Sequence, residues 1–220
     1  MENYTNRHLE PTAGSAYGYG WQKMKENFTN LLVIVIILMI AQSISGVANS
    51  NNPSLSEGSL SFLVWLLIAG PVAYGCKWVF LKAVRGNNYE IKDAFSAFNK
   101  DFFEVMLANL IVTVIIVVGF LFLIVPGIIF AIKLSFVPYL VMDKQMKAMD
   151  AIKKSWEMTT GHGAQIFFIG LLSIFIAIGG LLLFIVGIFP AIMWIKSTIA
   201  SFYLSVDQSN PVEPATTMAS

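Results

Sequence analysis

Apolar residues fall along this chain in two distinct patterns. Long runs with almost no charge alternate with polar segments in which an apolar residue returns every three or four positions. A helix needs about 20 apolar residues to cross a hydrocarbon core of about 30 Å. By that measure the runs at 30–48, 59–80, 103–125 and 163–186 read as spanning helices, the second interrupted by Pro71. Two further runs, 127–142 and 190–206, are shorter, about 16 residues each against the usual length. They contain Lys133 with Pro138, and Lys196, and read as spans that tilt or re-enter.

The segments between these runs carry a helical period. Trp21, Met24 and Phe28 are spaced i, i+3, i+7, as are Phe95, Phe98 and Phe102, with Ile91 one turn earlier, and Met149, Ile152 and Trp156. Lysines and acids fill the opposite faces. Each segment therefore reads as an amphipathic helix leading into a span. It buries the same stripe whether it lies in the membrane interface or covers the bundle from below, and both readings stay open.

Each amphipathic segment precedes an apolar helix, a proline and a second apolar helix. A lysine follows each proline at similar spacing: Lys77 after Pro71, Lys133 after Pro126, Lys196 after Pro190. Tyr139 to Asp143 matches Tyr203 to Asp207, and Asp93-Ala94-Phe95 matches Asp150-Ala151-Ile152. The expected fold is an all-α membrane protein, a six-helix transmembrane bundle built from three repeats of amphipathic helix plus helical hairpin, at about 15–84, 89–143 and 147–207. Such repeats suggest pseudo-threefold symmetry about the membrane normal. Pro71, Pro126 with Gly127, and Pro190 read as structural turns. Gly119, Gly170, Gly179 and Gly180 would allow close helix contact. Residues 1–14 and 208–220 read as disordered tails flanking one membrane domain at 15–207.

Composition agrees. Of the 220 residues, 56% are hydrophobic and 12% charged, where a soluble domain carries about 25% charged residues. Mean hydropathy is +0.70. The first 28 residues are too polar for a cleavable signal, so the first run reads as an uncleaved span. Net charge is +1, which gives no electrostatic case for nucleic acid. The basic residues are asymmetric. Arg7, Lys23, Lys25, Lys82, Arg85, Lys92, Lys100, Lys144, Lys147, Lys153 and Lys154 fall on one side of the spans, and the other connections carry none. That side is expected to be cytoplasmic, with both termini on it.

Candidate chemistry is sparse. The single cysteine, Cys76, excludes an intrachain disulfide and a cysteine metal site and reads as a packing residue. His8 and His162 are isolated, so no metal and no cofactor are expected. No motif assembles a nucleophile, a base and an orienting group, so the chain is not expected to be an enzyme. Lys133 and Lys196 lie about 10 Å along their helices from the outer turns, at roughly 1.5 Å per residue. A lysine near the bilayer centre costs at least about 2.5–3.5 kcal/mol. They are candidate ligands for an anion or a lipid phosphate, or they snorkel and bond to Ser135, Ser197, Thr198 or freed carbonyls. Lys77, nearer the basic edge, is the third candidate.

The stretch PGIIFAIKLSFVPYLVMDKQMKAMDAIKKSWEMTTGH at 126–162 joins a Pro-Gly turn, a helix ending in Asp, and an Ala-Ile-x-x-Ser-Trp helix. It resembles bacterial integral membrane families of unknown function related to the membrane domain of glycerophosphoryl diester phosphodiesterases. Gly70 to Phe98, with Arg85-Gly86 and DAFSAF, is similar to them too. The resemblance runs over about 15–207 on short motifs. In some relatives a catalytic barrel follows the membrane domain. These 220 residues have no counterpart to it, and phosphodiesterase activity is not expected. The resemblance implies a bacterial inner-membrane protein associated with lipid.

The expected function is therefore a non-catalytic membrane module that binds membrane lipid, another membrane protein or a second copy of itself. The alternatives are a small transporter or channel for an anionic solute and a membrane-lipid enzyme.

Overall fold

The computed structural model describes residues 9–47, 64–99, 102–182 and 187–212. Nine α-helices account for most of these residues, and no strand is present among them. They are α1 (Ala13–Glu26), α2 (Phe28–Val47), α3 (Gly70–Arg85), α4 (Phe102–Phe122), α5 (Ile124–Lys133), α6 (Val137–Lys144), α7 (Ala148–Thr159), α8 (Gly163–Leu182) and α9 (Ile188–Ser209). Among the described residues, five stretches are long and apolar enough to cross a membrane: Trp65–Arg85, Phe102–Phe122, Ile124–Lys144, Gly163–Leu182 and Ile188–Ser209. Ala13–Glu26 with Phe28–Ser43, bent by 100°, makes a sixth if taken as one span. These are the helices of a membrane protein. The outer ends of the expected runs at 48, 59–63 and 183–186, and the tail residues 1–8 and 213–220, lie outside the described residues.

The two short runs belong to longer helical stretches. Ile124–Lys144 is 21 residues and Ile188–Ser209 is 22. Apolar run length undercounts them because their polar ends, Asp143-Lys144 and Asp207-Gln208-Ser209, are helical as well. The first stretch is broken between Lys133 and Val137, with Pro138 in the first turn of α6.

Prolines sit where a missing N–H costs least. Pro126 and Pro190 each fall in the first turn of a helix, α5 and α9. Pro71 is the exception in manner. It removes a bond from inside a continuous helical path, and the turn before it, Trp65–Ala69, is π-helical, with the Gly70 N–H bonded to the Trp65 carbonyl. At the hairpins, glycine permits close approach. A Cβ on Gly119 would lie 3.0 Å from the Gly127 Cα, and one on Gly180 would lie 2.7 Å from the Ala191 Cβ. Gly170 and Gly179 face open space instead.

Inner and outer helices differ in burial. In the candidate spans Trp65–Arg85, Ile124–Lys144 and Ile188–Ser209, 67%, 44% and 56% of the apolar window is buried, against 22% and 11% in Phe102–Phe122 and Gly163–Leu182. The three more buried stretches thus form the core, while Phe102–Phe122 and Gly163–Leu182 face outward. α3 touches both α6 and α9, and Tyr139 of α6 stacks on Tyr203 of α9 at 4.9 Å.

The three polar segments each pack on one of these inner helices. α1 runs along α9, with Gly20 against the Thr198 backbone, and the Trp194 indole donates to the Tyr17 carbonyl at 3.0 Å. The segment Ile91–Phe98 is a 3-10 helix, not an α-helix, and it lies on α3 with Ala94 and Ala97 buried. α7 lies on α6. The expected apolar stripes are divided. Met24 is buried, whereas Trp21, Phe28, Ile91, Phe95, Phe98, Met149 and Trp156 stay exposed. Phe28 and Phe102 are the first residues of α2 and α4, not the last of the segments before them.

Candidate functional site

The break between α5 and α6 places Lys133. Three residues without regular helix bonding leave the Lys133 carbonyl and the Phe136 N–H in need of partners. Ser155 of α7 supplies both: its hydroxyl donates to the Lys133 carbonyl at 2.7 Å and accepts from the Phe136 N–H at 3.3 Å. Ser155 is fully buried. On the surface above this bridge the Lys133 ammonium donates to the Thr160 hydroxyl at 2.8 Å and stands 5.4 Å over the Trp156 ring. Thr160 immediately follows α7, and a Cβ on Gly163, the first residue of α8, would lie 3.9 Å from Ile132. Lys133, the last residue of α5, therefore stands beside the start of α8. Its side-chain partner is Thr160, not Ser135, Ser197 or Thr198.

The structure brings the other two candidates together. Lys77 of α3 and Lys196 of α9 lie within electrostatic reach of each other. Lys77 Nζ is 5.6 Å over the Tyr74 ring. The Tyr74 and Ser197 hydroxyls, on the same two helices, are buried without a hydrogen-bond partner among the described residues. Lys133 does not join this pair.

The carboxylates are committed elsewhere. Arg85 places one terminal nitrogen on Asp143 Oδ1 and the other 2.6 Å from Asp143 Oδ2 and 3.6 Å from Asp207. Lys144 is 3.0 Å from Asp207, and the Tyr203 hydroxyl donates to Asp143 at 3.2 Å. Glu26 pairs with Lys23 and Asp93 with Lys82. Glu104 accepts from the Ala148 N–H at 2.8 Å, at the N-terminus of α7, where the helix dipole favours an anion. Among the described residues Lys77, Lys133 and Lys196 have no ion pair to a carboxylate.

The network around Arg85 is the feature that sequence spacing does not reveal. The matching Tyr-x-x-x-Asp sequences in α6 and α9 are a visible signal, but they mark only helix ends until Arg85 is placed between them. The remaining candidates lie apart from these groups. Pro71, Pro126, Gly127 and Pro190 shape helix starts and hairpin contacts. Cys76 is free and buried, its thiol 3.9 Å from the Ile34 carbonyl. His162 packs edge-on against Phe202 at 6.3 Å. No group of three or more potential metal ligands occurs among the described residues.

No family model matches this chain, and no curated protein or solved structure matches it.

Proposed function

We propose that the chain is a non-catalytic, lipid-associated module of a bacterial inner membrane, with six spans, three repeated units and both termini cytoplasmic. One observation carries the lipid reading: the three lysines within candidate spans keep no carboxylate partner among the described residues, while the nearby acids serve Arg85, Lys144, Lys82 and Lys23. Cations held at or inside a bilayer without protein counterions call for anions from the membrane. Lipid phosphate is the anion that a bilayer supplies.

The repeat is supported by the packing order. Each polar segment lies on the inner helix of the unit before it, and the first closes the ring by lying on the inner helix of the third. Exposed aromatic residues on those segments, with lysines beside them, suit a headgroup layer. The likeness at 126–162 to bacterial membrane families fits this setting.

The test is native mass spectrometry of the gently extracted protein, with co-purifying lipids identified, for wild type and the Lys77→Leu/Lys133→Leu/Lys196→Leu variant. Retained anionic lipid that the folded variant loses supports the reading. A wild type that carries no lipid sinks it.

A second reading, a small transporter for an anionic solute, draws on the closeness of Lys77 and Lys196 and on the unpartnered Tyr74 and Ser197 hydroxyls. Anion flux into proteoliposomes, lost in Lys77→Leu/Lys196→Leu, would favour it.

A further inference from the structure

An apolar groove of about 510 Å³ runs between α4, α5 and α8, with Phe120, Ile128, Ile132, Ile166, Gly170 and Ile174 among its walls. Phe120 and Ile174 are 47% and 57% exposed, so the groove opens sideways toward whatever surrounds the spans. α5 and α8 run in opposite directions along it. Its Ile132–Ile166 end therefore lies beside Lys133 and the start of α8, while Ile128 and Ile174 line it farther along. From Ile166 to Ile174 the α8 wall is about 12 Å long at 1.5 Å per residue.

The Lys133 ammonium closes the polar end. One of its hydrogens is taken by Thr160, one face rests on Trp156, and it retains donor capacity. The N-terminal end of α8, beside Ile132, adds the positive end of a helix dipole. A cation at the mouth of a lateral apolar groove matches an amphiphile with an anionic head and an apolar tail. A neutral apolar helix would leave the cation unanswered.

We propose that this groove seats one phospholipid, its phosphate on Lys133 and Thr160 and one acyl chain along Ile132, Gly170 and Ile174. The assignment rests on the lipid-associated reading above and adds a place, a stoichiometry of one lipid per chain at this seat, and a head-to-tail direction. The groove is lined by α4, α5 and α8, whereas Lys77 and Lys196 lie on α3 and α9, so the two are separate.

Two variants attack the seat from opposite ends. Gly170 faces open space, and a Cβ there meets nothing within 4 Å. Gly170→Phe therefore fills the groove without disturbing the helices. Lys133→Gln removes the charge and keeps a polar side chain, and Lys133→Arg restores the charge. The full-length protein is titrated in micelles with phosphatidylglycerol and, separately, phosphatidylcholine and inorganic phosphate, and read by native mass spectrometry. Thermal unfolding of each variant establishes its fold. Wild type is expected to hold one phosphatidylglycerol more than Gly170→Phe. Lys133→Gln is expected to weaken phosphatidylglycerol binding about fivefold, the worth of one lysine near a headgroup, and Lys133→Arg to restore it. Phosphatidylcholine, whose choline ammonium offsets its phosphate, is expected to be weakened less than phosphatidylglycerol by Lys133→Gln. Inorganic phosphate binding that matches phosphatidylglycerol, and is unaffected by Gly170→Phe, would overturn the acyl part. Equal lipid counts in wild type and both variants would overturn the seat while leaving lipid association standing. A wild type without lipid removes the broader reading. A wild-type dimer that Gly170→Phe dissociates would assign the groove to a second copy and overturn the proposal.

Discussion

Arg85 and Asp143 meet as a two-point pair, both terminal nitrogens of the guanidinium against both oxygens of the carboxylate, and so tie the end of α3 to the end of α6. Asp207 of α9 stands at 3.6 Å from the same guanidinium. The ends of all three inner helices thus converge on one arginine. The Asp143 side chain is 7% exposed and the Arg85 side chain 20%. Removing one partner of a buried pair leaves the other charge without compensation, at about 3–5 kcal/mol. Arg85→Ala is expected to fall at the low end, about 3 kcal/mol, because Arg85 retains some contact with water. Arg85→Met with Asp143→Leu is expected to cost much less, since neither charge is then stranded. Thermal unfolding in detergent of the single and double variants checks this. Equal losses in both would contradict it.

Ser155 holds the α5–α6 break through one oxygen. Ser155→Ala leaves the Phe136 N–H unpaired and the Lys133 carbonyl with only the long 3.5 Å contact from Thr159. An unsatisfied buried group costs about 1–3 kcal/mol. The loss is expected to appear locally, as faster hydrogen exchange at Phe136 and lower Tm. Ser155→Thr, which keeps the hydroxyl, is expected to lose less. If the Phe136 amide exchanges as in wild type after Ser155→Ala, the bridge is not what holds the break.

Adjacent glycines in α8 separate packing from propensity. A Cβ on Gly180 would press on Ala191 and on the Gly187 carbonyl, while one on Gly179 meets nothing within 4 Å. Gly180→Ala is expected to cost about 1–3 kcal/mol through overpacking of the α8–α9 hairpin. Gly179→Ala is expected to be neutral or to stabilise by up to about 1 kcal/mol, the helix propensity difference. Unfolding of the two single variants gives the comparison. Similar effects would mean that the hairpin yields at no cost.

How much of this was legible beforehand follows from what kind of signal each feature leaves. Apolar run length and the lysine-after-proline landmarks are properties of contiguous sequence, and they locate the helices well. Contacts between distant segments are not such a property. Counting from Pro126 places Lys133 along its helix but does not reveal Thr160, 27 positions later, or the start of α8 beside it. The same limit hid Arg85: nothing in its neighbourhood marks it as the partner of acids 58 residues or more away. The polar segment before α4 was readable as periodic, yet Gly75 must admit the Ala94 carbonyl for it to settle as a tight 3-10 turn on α3. Spacing alone does not distinguish that from an α-helix over eight residues.

Asp93 gives the structure a dependence on pH at that segment. Burial acts first and raises its pKa, but the Glu90 N–H at 2.9 Å and the Lys82 ammonium at 2.9 Å stabilise the charged form more, and the net shift is downward. A carboxyl lowered in the folded state contributes stability above its unfolded pKa and loses it as pH falls through the folded value. The hold of Ile91–Phe98 on α3 is therefore expected to be constant at neutral pH and to weaken in acid. Asp93→Asn is expected to remove that acid-dependent part and leave the protein less stable at pH 7. Protease nicking near Asn99, followed from pH 7 downward, measures it. A wild type and variant with parallel pH profiles would exclude Asp93 as the cause.

Lys77 and Lys196 are expected to act oppositely on stability and on ligand response. Two ammonium groups in candidate spans, near one another and without carboxylate partners among the described residues, oppose folding. Each costs about 2.5–3.5 kcal/mol at full membrane depth on insertion scales. Lys77→Leu/Lys196→Leu is accordingly expected to unfold at a higher temperature than wild type in neutral, lipid-free detergent. Any anion that binds the pair stabilises wild type in proportion to the logarithm of its concentration. Adding phosphatidylglycerol or a soluble anion should then raise the wild-type Tm while leaving the variant nearly flat. Crossing of the two curves would show that the lysines trade intrinsic stability for a ligand. A variant destabilised in lipid-free detergent would mean that the pair is held by the protein's own groups.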